Sequence, residues 1–258
     1  MIETRNLTIR YPNGALAVDS LNLLVEPGEI YCLLGANGAG KTSTVNSLLG
    51  FVTPLVGEAL INGIPVAERP LEAKKHVAYL DEKISFYESF TARENLRFFA
   101  TLAERERLTD NQLDHAMRLV GLPEDCFSRR VADLRQGIRQ KLGLAACILR
   151  QSPAMVLDEP LSDLDPRDLD DLAELLLELR DQGKAILLST QDIFQAKQMA
   201  DRVGILKEGR KVLERTRRDL QFESLERIYL GYMRGESGLF ADSNAAAARQ
   251  AAGEGRIS

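Results

Sequence analysis

The stretch Gly35-Ala36-Asn37-Gly38-Ala39-Gly40-Lys41-Thr42 fits the pattern G-x-x-x-x-G-K-[ST]. It follows the apolar run Ile30 to Leu34, read as a strand, and opens a helix expected from Gly40 or Lys41 to about Leu49. That strand–loop–helix context separates it from a chance glycine-rich turn. Glycines let the backbone wrap closely, so that amide N–H groups point at phosphate oxygens. The helix N-terminus adds a dipole that favours an anion. Lys41 is placed to bridge the β- and γ-phosphates of a nucleoside triphosphate, and Thr42 to set its hydroxyl on Mg²⁺. Gly35, Ala36, Asn37, Gly38, Ala39, Gly40, Lys41, Thr42 and Ser43 are therefore the expected nucleotide-binding segment.

Downstream, Met155-Val156-Leu157 reads as a buried strand that ends in Asp158-Glu159-Pro160. A carboxylate at Asp158 can hold the shell of the metal, and Glu159 can polarise an attacking water as general base. Two acids at a strand end are common by themselves. Following a phosphate loop in chain order, they point to nucleotide chemistry.

Around these motifs the texture is α/β. Ile2 to Arg10 and Ala17 to Val25 read as strands, residues 57–66 as a hairpin element, and Val77 to Leu80, Ala185 to Ser189 and Val203 to Leu206 as further strands. Leu169 to Arg180 is an amphipathic helix that stops near Gly183. From Thr91 to about Leu149 the pattern is helical, with a capping box expected at Thr91 and Glu94 and a break at Pro123. Strands alternating with helices argue for a parallel core, with the helical middle inserted as a lobe. From about Ser237 the sequence is Ala- and Gly-rich without periodicity and reads as a flexible tail.

Composition narrows the partners. The net charge of −5 is spread along the chain with no basic block, so no nucleic acid is expected. No apolar run reaches the ~18 residues of a membrane span, and the start Met1-Ile2-Glu3-Thr4-Arg5 lacks a signal core. Any link to a membrane is therefore expected to run through a partner. Cys32, Cys126 and Cys147 show no metal spacing and read as reduced thiols.

Together these residues resemble the ATP-binding subunit of an ABC transporter over about residues 1–232, leaving 233–258 as tail. The resemblance implies a P-loop NTPase core with a mixed sheet, an N-terminal antiparallel β subdomain and a helical subdomain inserted at about 84–152. It implies ATP and Mg²⁺ as ligands. Tyr11 lies where the family stacks an aromatic ring on adenine, although in Arg10-Tyr11-Pro12 alone a tyrosine is more often a turn or packing residue. Ser162-Asp163-Leu164-Asp165 resembles the loop that crosses the dimer interface, with Asp165 as its interface residue. Glu223 to Leu230 resembles the closing helix of drug-efflux and polymer-export members. In the family two such subunits clamp two ATP molecules head to tail, and the motion drives a membrane-spanning permease. The implied place is the cytoplasmic side, peripheral at the inner face of the membrane, as a homodimer or a heterodimer with another ATP-binding subunit. Phe86, Tyr87 and Phe90 fall where members receive the permease; packing of the helical lobe explains them equally well.

Three segments depart from the family pattern. The signature segment, usually Leu-Ser-Gly-Gly, reads Leu134-Arg135-Gln136-Gly137. Gln136 is expected to be strained if the position demands the positive φ of glycine. The glutamine loop carries Glu82, which can ligate Mg²⁺ but cannot donate to a water. The switch histidine is Gln191, which carries neither a proton nor a positive charge. His76 and His115 lie elsewhere and read as surface residues. The implied catalytic set is thus Glu159, Lys41 and Gln191, and the metal set Thr42, Asp158 and Glu82. The changes argue against rapid turnover, while Lys41, Thr42, Asp158 and Glu159 argue for an ATPase. Two readings follow: the energising subunit of an exporter, alone or in an unequal pair, and a nucleotide-gated regulatory or structural module with little hydrolysis. A soluble ABC protein of ribosomes or DNA repair fits less well, because neither a tandem domain nor a coiled-coil insertion is present.

Overall fold

A strand as apolar as Ile30–Leu34 calls for cover on both faces, which the middle of a parallel sheet offers. The computed structural model, which describes residues 1–103, 108–161, 164–221 and 224–234, places it there. Strand β3 (Glu29–Leu34) pairs in parallel with β8 (Ala185–Thr190) on one side and β9 (Arg202–Lys207) on the other. Beyond β8 lie β7 (Ala154–Asp158) and β6 (Val77–Leu80), both parallel. The opposite edge is β10 (Arg210–Thr216), antiparallel to β9, so the six-stranded sheet is mixed. Alternate residues of β3 enter two separate cores: Ile30, Cys32 and Leu34 one, Tyr31 and Leu33 the other.

A second, antiparallel sheet holds β1 (Ile2–Arg10), β2 (Leu16–Val25), β4 (Val56–Ile61) and β5 (Ile64–Pro65) in the order β2-β1-β4-β5. Two short helices accompany the strands so far named: α1 (Lys41–Leu48) and α2 (Pro70–Lys75). The helical middle is α3 (Ala92–Leu102), α4 (Asp110–Leu119) and α5 (Gln136–Arg150). Thr91 and Glu94 form the expected capping box, and Thr109 with Gln112 forms a second. These helices share one core with a face of the parallel sheet: Leu96, Leu113 and Leu142 are fully buried in the cluster that holds Cys32 and Leu157. The chain then adds α6 (Pro166–Asp181), α7 (Ile193–Met199) and α8 (Leu225–Arg234).

Three elements have no counterpart in the sequence reading. Strand β10 is rich in charge, and its edge position lets Arg210 face solvent and Lys211 pair with Glu214 while Leu213 is buried. Helix α2 is only six residues long, with Pro70 in its first turn. Helix α7 follows Gln191 directly, capped by Asp192, whose Oδ1 accepts from the Phe194 and Gln195 N–H groups. Helix α8 continues through Arg234, past the expected boundary at 232. Ser162, Asp163, Glu223 and the expected tail from 235 lie outside the described residues. The three cysteines are buried and unpaired.

Parallel register has one consequence for function. Leu34 pairs with Thr190, Asp158 with Ser189, and Leu80 with Leu157. Gly35, Glu159, Gln191 and Asp81-Glu82 therefore all emerge at the carboxyl edge of four neighbouring strands, where open α/β sheets bind ligands.

Candidate nucleotide site

The loop between β3 and α1 is shaped by its glycines. Gly40, the N-cap of α1, has φ 109°, and a Cβ there would meet the Ala17 carbonyl oxygen at 2.4 Å. At Gly35 a Cβ would meet the Leu206 carbonyl oxygen at 2.6 Å. No side chain caps α1, so its first-turn N–H groups are left for an anion. Lys41 is only 6% exposed. Its Nζ donates to the Gly35 carbonyl at 2.7 Å and to that of Ala36 at 3.4 Å, and lies 3.4 Å from Glu159 Oε1.

Glu159 is itself 8% exposed and has φ 45°, a left-handed conformation uncommon for this residue type. Its N–H donates to the Ser189 carbonyl at 3.0 Å, and its Oε2 accepts from the Gln191 N–H at 3.4 Å. Oε1 is buried without a hydrogen-bond donor among the described residues and faces Lys41 across a gap of 3.4 Å. Burial pushes the Glu159 carboxyl above its ordinary value, and Lys41 pulls it part of the way back. Asp158, beneath it, is 1% exposed and accepts a hydrogen bond from the Ser189 hydroxyl.

A cleft of about 130 Å³ lies over the loop. Lys41, Thr42, Ser43, Glu82 and Glu159 line it, together with Ala17, which nothing in the sequence marked. The cleft thus joins the phosphate loop to the acids that follow β6 and β7. Tyr11 stands next to it, its hydroxyl 3.1 Å from Ser43 Oγ. Among the described residues no cluster of three His, Cys, Asp or Glu forms an all-protein metal cage. The donors present fit Mg²⁺, which takes one or two carboxylates and keeps its other positions for water and phosphate. They are the Thr42 hydroxyl, the buried Asp158 and Glu82, beside the orphaned Oε1 of Glu159.

Five expected residues gather elsewhere. Arg135, Gln136 and Gly137 line a separate cleft of about 320 Å³ at the N-terminus of α5, with Asp165 and Asp168; Leu134 is buried behind them. This cleft shares no lining residue with the phosphate cleft. Gln136 opens α5 with no positive φ, so the strain expected of it is absent. Asp165 caps α6 through the Asp168 N–H, 3.0 Å away. Gln191 is exposed, and only its backbone N–H reaches the site. Of the three aromatics, Tyr87 and Phe90 stack in the open with ring centroids 5.2 Å apart, while Phe86 packs against the core.

Known proteins give this arrangement its family. The profile described as "ABC transporter" matches residues 18–162, more than half of the chain. The chain belongs to the ABC transporter family. It is 32% identical over 234 residues to the bacitracin transport ATP-binding protein BcrA of Bacillus licheniformis, covering 90% of this chain and 74% of that one. It is 35% identical over 217 residues to the Nod factor export ATP-binding protein I of Burkholderia orbicola, covering 83% and 70%. A solved ATP-binding subunit of an ABC transporter superposes with a TM-score of 0.79 at 30% identity, covering 89% of this chain and 98% of that one. As a member of this family the chain is an ATP-binding ATPase subunit of the kind that powers transport, with the P-loop NTPase fold. No helix among its described residues is long and apolar enough to cross a membrane.

Proposed function

We propose that this ABC subunit powers an exporter by closing on ATP as a dimer and hydrolysing it with Glu159 as general base. The observation that carries the reading is the cleft that brings Lys41, Thr42, Glu82 and Glu159 around one phosphate-sized space. Lys41 holds the β- and γ-phosphates, the amides of residues 35–43 cradle them, and Tyr11 carries the adenine. Thr42, Asp158 and Glu82 hold Mg²⁺, which offsets charge on the phosphate oxygens when bound. Glu159 takes a proton from the attacking water; its raised affinity for protons suits a base. Gln191, exposed at the end of β8, turns its uncharged amide to the γ-phosphate as a hydrogen-bond donor when ATP is clamped.

The separate clefts favour two chains. A single chain does not bring Arg135 and Gln136 to its own phosphate loop, so the signature end serves a partner's ATP, with Asp165 at the interface. The reading divides the chain at about 232, with residues near 84–152 as the inserted helical part. A permease supplies the membrane span and holds the subunit at the inner face. Its docking place is the region of Tyr87, Phe90 and the neighbouring cleft of about 290 Å³ lined by Phe51, Lys74, Tyr79, Phe99 and Arg150. Export is favoured by the relatives named for bacitracin transport and Nod factor export.

The test is Glu159→Gln in the full chain. Turnover is expected to fall by about 10²–10⁴-fold, the usual share of a general base, with ATP binding retained. Unchanged turnover, already at background, would favour a nucleotide-gated module that scarcely hydrolyses ATP.

A further inference from the structure

Helix α5 carries two buried polar side chains that the nucleotide chemistry above leaves unused. Gln140 is 1% exposed and Lys141 3%. Helix interiors rarely bury such groups without a partner. Lys141 has two: its Nζ donates to Asp168 Oδ1 at 2.5 Å and to the Gly121 carbonyl at 3.1 Å. Asp168 lies in the first turn of α6, next to the Asp165 cap, so Lys141 fixes α5 against the start of α6.

Gln140 reaches the other way. Its Nε2 donates to the backbone carbonyl of Glu159 at 3.4 Å, while its Oε1 is buried without a donor among the described residues. The recipient matters. Glu159 is the residue with φ 45°, and its side chain faces Lys41 with one oxygen unsatisfied. A non-glycine residue keeps that backbone only where its surroundings hold it. The Ser189 carbonyl holds the N–H of Glu159, and Gln140 is the side chain that holds its carbonyl. One turn before Gln140, on the same face of α5, stands Gln136 at the signature end.

We propose that Gln140 is a positioning residue: it fixes the backbone of Glu159, and so the aim of its carboxylate, and ties that aim to the signature end of α5. The inference rests on Glu159 as general base. The long 3.4 Å contact and the orphaned acceptor leave slack in the link, so a shift of α5 along its axis changes how firmly Glu159 is held.

The experiment is Gln140→Met in the full chain within its native transporter complex. Methionine keeps the length and removes the donor together with the unsatisfied acceptor, so the cost of leaving the Glu159 carbonyl unpaired is offset by the relief of the buried Oε1. The expected result is a fall in kcat of about tenfold or more, with KM for ATP within about twofold and an unchanged melting temperature. In the Glu159→Gln background the same substitution adds no further loss, because a residue acting through the carboxylate has nothing left to aim. Gln140→Leu, which offers the carbonyl no donor and buries no charge, serves as second variant and is expected to lose about as much kcat. Unchanged kcat in a folded Gln140→Met protein overturns the proposal. So does an additive loss beside Glu159→Gln, or a joint collapse of melting temperature, KM and kcat in both variants. If Glu159→Gln by itself leaves kcat unchanged, the general-base reading falls and takes this inference with it. If Glu159→Gln collapses turnover and Gln140→Met does not, only the positioning role falls.

Discussion

The phosphate loop and the signature end of α5 are built from the same parts, a helix N-terminus and a cation, to different standards. At α1 the cation is Lys41, 6% exposed and already held by the Gly35 carbonyl and Glu159. At α5 it is Arg135, exposed and without a hydrogen bond or ion pair among the described residues. Neither helix start has a side-chain cap. The difference teaches where binding free energy resides. A preorganised cation loses little entropy when phosphate arrives, whereas a long solvated side chain must be ordered first, at roughly 0.5–1.5 kcal/mol. On the proposed reading the loop grips ATP by itself, and the signature end contributes only when something else brings a phosphate to it.

The sharpest way to break this contrast is to remove each cation. Lys41→Ala deletes a buried ammonium worth about 1.5–3 kcal/mol per charged hydrogen bond, so ATP affinity of the full chain is expected to fall by about 100-fold. Arg135→Ala is expected to leave that affinity within about twofold. A nucleotide titration monitored by calorimetry reads both. Equal losses would mean that the two ends act on one ATP within a single chain.

A smaller effect follows from restoring the signature. Arg135→Ser with Gln136→Gly returns a short donor and lets the backbone approach a partner's phosphate. Turnover of the assembled transporter is expected to rise by about tenfold, toward the range that one well-placed donor supplies. The glycine in the first turn of α5 costs up to about 1 kcal/mol of helix stability, seen as a melting point lower by a few degrees. A drop in turnover instead would assign Arg135 itself the work of the missing serine.

The same contrast decides what was legible in the sequence. The phosphate loop announced itself because its chemistry is local: glycines, lysine and threonine sit side by side, and the flanking strand and helix are contiguous. Asp158 and Glu159 were legible because an apolar strand ended on them. Ala17, Ser189 and Gln140 were not, since each enters through pairing or packing between segments far apart in the chain. Ala17 lends a carbonyl against Gly40, Ser189 a hydroxyl to Asp158, and Gln140 an amide to Glu159. Helix α7 and strand β10 escaped because one is seven residues long and the other is mostly charged. Gln136 shows the opposite failure: strain was expected from a family glycine, yet the helix starts there without positive φ.

The finest test concerns the carboxyl group that faces Lys41. Burial raises the Glu159 pKa above its ordinary value, and Lys41 opposes that rise without cancelling it. A raised carboxyl binds its proton more tightly in the folded chain than in the unfolded one. Its stabilising contribution is therefore complete below the unfolded value and is lost as pH rises through the folded one. Glu159→Gln keeps a neutral group at every pH. The melting temperature of the variant minus that of the native chain, without nucleotide, is thus expected to grow as pH rises from the ordinary carboxylate range toward neutrality. Other titrating groups cancel in the difference. If the gap narrows with rising pH instead, the ion pair with Lys41 outweighs burial, and Glu159 is held ionised before ATP arrives. That outcome would make the two ends of the molecule more alike, because the lysine of the loop would then need freeing from Glu159 just as Arg135 needs ordering from solvent.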